Sequence, residues 1–247
     1  MHVDSAGLPG RAHRVSICRT GPPARSPLGL AWLDYPTGAG PGVRFSAAPS
    51  VVMVYFRTPD ADATAAAVRE SGGTVLFEPM DVFDLGRMAV FTDPGGAGFA
   101  VWQPGTLQGL EVVNDPHSLC WTELYTHDPA ASMAFYGTVL GMESSAVPWP
   151  DGTGTYILLN PAGGGDDSSF GGVVPLAAEP AEADEGPYWM PCFEVPDTDT
   201  TAARAERLGG SVRLAPTEMG GVGRFARLTD PYGARFAVVT STPAEQP

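Results

Sequence analysis

Lysine is absent from this 247-residue chain: its 14 basic residues are all arginine, set against 28 acidic ones, for a formal charge of -14. An acidic excess of that size repels phosphate backbones and anionic lipid headgroups, which argues against nucleic acid and membrane surfaces as partners. Long apolar runs are missing too. No stretch approaches the roughly 18 residues of a membrane span, and Met1–Gly10 lacks the charged start and apolar run of a secretory signal. A cytoplasmic location is therefore expected. Cysteine is scarce: Cys18, Cys120 and Cys192 lie far apart, form no CxxC pair, and are too few for a disulfide framework. They read as buried free thiols. No GxSxG elbow occurs, and the glycine runs 38–42 and 163–167 lack the lysine and the strand–helix context of a phosphate loop.

What is abundant is glycine, with 31 residues, and proline, with 25, in a chain that is 43% hydrophobic. This is ordinary globular composition, and at this length two domains are the better expectation. The turn Asp93-Pro94-Gly95-Gly96 returns as Asp230-Pro231-Tyr232-Gly233, and it belongs to a longer repeat: residues 51–103 align with 188–240 without a gap. Identities fall mainly on turn and packing positions. Pro59, Gly72, Gly73, Gly86 and Arg87 match Pro196, Gly209, Gly210, Gly223 and Arg224.

Each unit reads as a strand, a helix, and further strands. Val51–Arg57 is apolar and β-branched enough for a strand. Asp60 or Asp62 caps an alanine-rich helix that stops at Gly72, Thr74–Glu78 is the second strand, and Met88–Thr92 and Ala97–Gln103 flank the hairpin tip. A further unit opens at Leu119–Tyr125. In it Asp128 caps a helix with Pro129 at its first position and Phe135, Tyr136, Val139 and Leu140 on its buried face, and strands follow at Gly154–Leu159 and Gly171–Leu176. Residues 106–116 read as the interdomain linker, and the acidic, Ala/Pro-rich Ala177–Gly186 as a solvated connector. The start of the chain is anomalous. Residues 1–48 hold five arginines and no amphipathic helix, and read as a degenerate module or an arm. The expected organisation is thus that N-terminal segment, a βαβββ module at 49–105, the linker, and a two-module domain at 117–243.

Paired units of this kind, with a helix like Ala134-Phe135-Tyr136-Gly137, a Gly-Gly after the next helix, and strands joined by Asp-Pro-x-Gly, resemble the glyoxalase/bleomycin resistance/dioxygenase proteins of the vicinal oxygen chelate superfamily. Glu78–Gly105 resembles the tandem-domain actinobacterial type often labelled hydroxylase. The resemblance implies an α+β fold of tandem βαβββ modules, forming curved mixed sheets around a cleft. It also implies where metal ligands would stand: Met53, Trp121 and Met190 on first strands, and Ala100 and Ala237 on last strands. None of these offers a carboxylate, imidazole or thiolate, so no metal and no other cofactor is expected.

Strand alternation puts Trp121, Glu123 and Tyr125 on one face, and Met190, Cys192 and Glu194 on the matching face of its partner. Met53, Tyr55, Trp102 and Tyr156 complete the expected ligand-binding lining. An aromatic and thioether lining with a few acids suits a hydrophobic small molecule. The reading is metal-independent binding or sequestration of such a ligand, of antibiotic-resistance or secondary-metabolism type, by an expected homodimer with an incomplete N-terminal cleft. One alternative is a metal-free isomerase, cyclase, lyase or hydroxylase-like enzyme with Glu123 as catalytic acid or base. The other is an interaction module without a ligand. His117 and His127 read as loop residues, and the equivalent Arg87 and Arg224 as holders of a shared structural ion pair or a strand cap rather than as substrate binders.

Overall fold

The computed structural model describes residues 15–20, 51–148, 154–164, 168–179, 182 and 186–242. Three helices repeat one design. In α1 (Ala61–Glu70) the carboxylate of Asp60 accepts the backbone N–H of Ala63 at 2.9 Å; in α3 (Thr198–Arg207) Asp197 accepts that of Thr200 at 2.7 Å. Both satisfy donors that a helix start leaves bare. Both stop before a left-handed glycine, Gly72 at φ +83° and Gly209 at +89°, where a side chain would be strained. Helix α2 (Pro129–Leu140) starts at Asp128 with Pro129 in its first turn and buries Phe135, Tyr136 and Leu140, leaving Val139 half-buried.

The strands form two sheets. The C-terminal sheet has eight: β6 (Leu119–Thr126), β7 (Glu143–Pro148), β8 (Thr155–Asn160), β9 (Gly171–Pro175), β10 (Tyr188–Glu194), β11 (Ser211–Met219), β12 (Gly223–Thr229) and β13 (Arg235–Ser241). Their order is β11-β12-β13-β10-β6-β9-β8-β7, so each module pairs its first strand parallel to its last, and β6 joins β10 antiparallel at the centre. The N-terminal sheet runs β1-β2-β5-β4-β3. There β2 (Val51–Arg57), β3 (Thr74–Val82), β4 (Gly86–Thr92) and β5 (Gly98–Pro104) repeat the same module. Strand β1 (Val15–Thr20) lies antiparallel on β2 as β6 lies on β10, the place of a preceding module's first strand. The rest of the expected degenerate module, 1–14 and 21–48, lies outside the described residues.

Alternation sorts the side chains. Val54, Phe56, Phe91 and Phe99 of one sheet and Leu124, Tyr136 and Trp189 of the other domain enter one shared core with α1 and α2. Phe56 meets Trp189 edge-on with ring centroids 5.0 Å apart, and Phe99 meets Tyr136 at 5.3 Å. The opposite faces carry separate apolar clusters, one per sheet. Arg87 pairs with Asp62 and Asp81, and Arg224 with Asp199, tying β4 and β12 to their helices. Among the described residues no helix is long and apolar enough to cross a membrane.

Three local expectations change. Strand β7 adds to the expected elements, since Glu143–Pro148 is a polar edge segment with little apolar alternation. Strands β3 and β11 run on past Pro79 and Pro216, which an edge position with shifted register tolerates. The expected solvated connector changes at one residue: Ala177, Ala178 and Gly186 are exposed, but Glu182 is 1% exposed, because arginines of β11, β12 and β13 converge on it.

Candidate functional site on the concave face of the eight-stranded sheet

Strand β6 sits mid-sheet, with Glu123 opposite Met190 on one side and Gly172 on the other. Gly172 decides the local geometry. A Cβ there would stand 1.9 Å from the Tyr156 hydroxyl, so only glycine lets the Tyr156 ring cross β9 toward β6. Its Oη then donates to Glu123 Oε1 at 3.0 Å, while Tyr125 Oη donates to Oε2 at 2.7 Å. Trp121 Nε1 in turn donates to Tyr156 Oη at 3.0 Å. Four of the expected residues are thus one hydrogen-bonded group. Met190 and Cys192 adjoin it in the same apolar cluster, with Trp121, Glu123 and Tyr156 half-buried.

Burial pushes the Glu123 carboxyl above the ordinary glutamate value of 4.5, outweighing the two phenol hydrogen bonds and the Arg227 charge, which favour the anion. Burial first, and the Glu123 charge second, hold the Tyr125 and Tyr156 hydroxyls well above the usual phenol range. The folded protein therefore binds the Glu123 proton more tightly than the unfolded chain. That contribution to stability is complete below pH 4.5 and is lost as pH rises through the higher folded value. The melting temperature of the wild type relative to Glu123→Gln should accordingly fall as pH is raised from 4.5 toward neutrality. A difference independent of pH would contradict this assignment.

Toward one end the face is closed. Tyr125 stacks on Tyr188 with centroids 4.9 Å apart and planes 3° from parallel. Arg227 lies 5.6 Å from the Tyr125 centroid, and Arg235 lies 4.4 Å over Tyr188. Arg227 belongs to β12, three strands from β6, so this contact spans a concave surface. Its Nη2 donates to Glu179 Oε2 at 2.7 Å. Alternation from Met190 would have reached Tyr188. The arginines were visible in the repeat, where Arg227 and Arg235 replace Val90 and Gly98.

Met53, Tyr55 and Trp102 do not join Glu123; they form the N-terminal sheet's own cluster with Met88, Val90 and Ala100. Trp102 Nε1 donates to the Leu107 carbonyl at 2.9 Å, holding the linker. Cys192 is a buried free thiol, pushed up by its contact with Cys120 and by burial; Cys120 is half-buried and free. His117 and His127 are exposed loop residues.

The positions where the resemblance would place a divalent ion hold Met53 with Ala100, and Trp121 and Met190 with Ala237. Two thioethers, an indole and two methyl groups do not fit such an ion. Among the described residues, no group of three or more His, Cys, Asp or Glu is placed to hold one.

The family model of the Glyoxalase/Bleomycin resistance protein/Dioxygenase superfamily matches residues 18–101 and 118–238. The chain is 42% identical over 200 residues to the anthracycline biosynthesis protein DauV of Streptomyces sp. (strain C5), covering 81% of this chain and 69% of that protein. The anthracycline biosynthesis protein DnrV of Streptomyces peucetius matches at the same identity and coverage. Among solved structures, the 2,3-dioxygenase LapB from Pseudomonas sp. KL28 is 18% identical, with a TM-score of 0.51 over 81% of this chain and 76% of that one, a likeness of fold. The paired βαβββ modules and these matches together place the chain in the glyoxalase/bleomycin resistance protein/dioxygenase superfamily, to which it belongs.

Proposed function

We propose that this protein binds an aromatic small molecule of secondary metabolism on the concave face, with Trp121 as stacking surface and Glu123, Tyr125 and Tyr156 as polar anchor. The similarity to anthracycline biosynthesis proteins supports the secondary-metabolism role. The observation that carries the ligand class is the chain from Trp121 through Tyr156 and Glu123 to Tyr125. Half-buried rings offer large flat apolar area, and hydroxyls beside a carboxyl present both donors and acceptors to a phenol or quinone oxygen. Binding needs no metal in this reading, so a chelator should leave it unchanged. A homodimer belongs to the same proposal, since among the described residues β3 is the last strand of its sheet, and light scattering tests it.

A second reading, a metal-free isomerase, cyclase, lyase or hydroxylase-like enzyme, is favoured by one feature. Glu123 combines a proton affinity raised by burial with two phenols that hydrogen-bond its anion, so that it can take up and release a proton as a general acid or base requires. Titration with 1,2-dihydroxyanthraquinone, followed by calorimetry and by mass spectrometry of the probe, tests both. A binder should keep its affinity within about tenfold in Glu123→Gln, whereas an enzyme should lose turnover by about 100-fold or more. Gly172→Ala should weaken binding by displacing the Tyr156 ring. No saturable binding by the wild type, or full affinity in Gly172→Ala, would sink the concave-face site.

A further inference from the structure

Strands β6 and β10 pair antiparallel at the centre of the eight-stranded sheet, and their pairing slips by one residue. Cys192 stands opposite Trp121, whereas Phe193 stands opposite Leu119, so Cys120 is the extra residue of a β-bulge. The N-terminal sheet has no such slip at this place: the repeat equivalents Tyr55 and Phe56 pair in register with Ser16 and Val15 of β1. Strict alternation would turn Cys120 away from the face that carries Trp121 and Cys192. The bulge sets two residues of β6 against one of β10, and so re-aims a side chain. Cys120 accordingly packs against the same apolar cluster that holds Cys192, with Trp121 beside it. Its Sγ donates to the Cys192 backbone carbonyl at 3.4 Å, and the two thiols are in hydrogen-bond contact with each other.

A cysteine that only filled core space would need no second thiol against it. Both thiols are free, and they differ in exposure: Cys120 is half-buried, while Cys192 is 3% exposed. Contact with Cys120 first, and burial second, hold the Cys192 thiol well above its usual range, which keeps it protonated and makes it the poorer first nucleophile. Residues that face each other across an antiparallel pair have Cα atoms about 4.5–5.5 Å apart, inside the about 4.4–6.8 Å that a disulfide spans. The sheet thus holds an accessible sulfur and a sheltered one within bonding reach of each other, beside Trp121.

We propose that Cys120 and Cys192 form a reversible oxidation site, at which a hydroperoxide oxidises Cys120 and Cys192 then closes a disulfide across the bulge. The Cys120 thiolate attacks the peroxide and breaks its O–O bond, becoming a sulfenic acid, while the other oxygen leaves as hydroxide and takes up the thiol proton to give water. The Cys192 sulfur next attacks the Cys120 sulfur; the S–O bond breaks, and the hydroxyl leaves with the Cys192 proton as a second water. Two thiols are oxidised to a disulfide, the peroxide is reduced to water, and a dithiol reductant reverses the change. The test is treatment of the folded protein with hydrogen peroxide, alkylation of the remaining thiols, and cleavage after glutamate, which separates Cys120 in peptide 112–123 from Cys192 in peptide 186–194. Mass spectrometry should find these two peptides joined and two hydrogens lighter than their sum, and dithiothreitol should part them. Cys192→Ala should stop at a Cys120 sulfenic acid that dimedone traps, and Cys120→Ala should slow oxidation of Cys192 by at least about tenfold. Absence of the joined peptide from the folded wild type would overturn the proposal. So would a joined peptide that forms only in urea, one that contains Cys18, or oxidation of Cys192 at the wild-type rate in Cys120→Ala.

Discussion

Glu182→Ala is expected to destabilise the fold by about 3–5 kcal/mol and to lower the melting temperature by on the order of 10 °C. Glu182 is 1% exposed and takes two hydrogen bonds from Arg213, each 3.0 Å, with Arg235 at 3.5 Å and Arg227 at 3.9 Å. Arg213 can turn toward water when its partner is lost. Arg227 cannot: it is 9% exposed, keeps only Glu179 among these acids, and its Nε already lacks an acceptor. Removing one acid from a buried network of arginines is the expensive case, because the cations left behind lose a partner without regaining full solvation. The damage should reach the candidate site, because Arg227 and Arg235 lie against the Tyr125 and Tyr188 rings. Thermal and urea unfolding measure the effect. A fall of less than about 2 °C would show that Glu182 is solvated after all.

Tyr136→Phe is expected to cost about 2–4 kcal/mol, although it removes a single oxygen. That oxygen is fully buried, donates to Asp93 Oδ2 at 3.1 Å and accepts from Trp189 Nε1 at 2.8 Å. Asp93 stands in the N-terminal sheet's hairpin, Tyr136 on α2 and Trp189 on β10, so the hydroxyl joins the two sheets through their shared core. Without it a carboxylate oxygen and an indole N–H are both buried without this partner, and each orphan carries a desolvation penalty. Burial already raises the Asp93 pKa against the hydrogen bonds from Ala97 and Tyr136 that favour its anion. Losing one raises it further. The difference between Tyr136→Phe and wild type should therefore shrink as pH falls, because protonated Asp93 no longer needs a donor at Oδ2. Urea unfolding at neutral and acidic pH checks both parts; a loss below about 1 kcal/mol at neutral pH would contradict them.

Much of the fold was legible because its signals are local. Asp60, Asp128 and Asp197 cap helices that end at Gly72, Gly141 and Gly209, and the Asp-Pro-x-Gly tips close hairpins. The gapless repeat then predicted that β2 to β5 and β10 to β13 share one topology. Strand alternation also placed Trp121, Glu123 and Tyr125 together before any partner strand was known. β7 carries no such signal, because a solvated edge strand has little need of apolar alternation.

The chain by itself determined where strands, helices and turns fall, which face each strand buries, and that the metal-ligand positions hold no donor. These follow from backbone dihedrals, capping and side-chain period, properties that extend over a few residues. Only the tertiary structure decided that Gly172 clears a path for Tyr156, that Met53, Tyr55 and Trp102 form a face of their own, and that Glu182 is buried beneath three arginines. Whether a charge is buried depends on which distant strands close over it, and Arg213, Arg227 and Arg235 reach Glu182 from 31, 45 and 53 residues along the chain. No local pattern encodes that convergence.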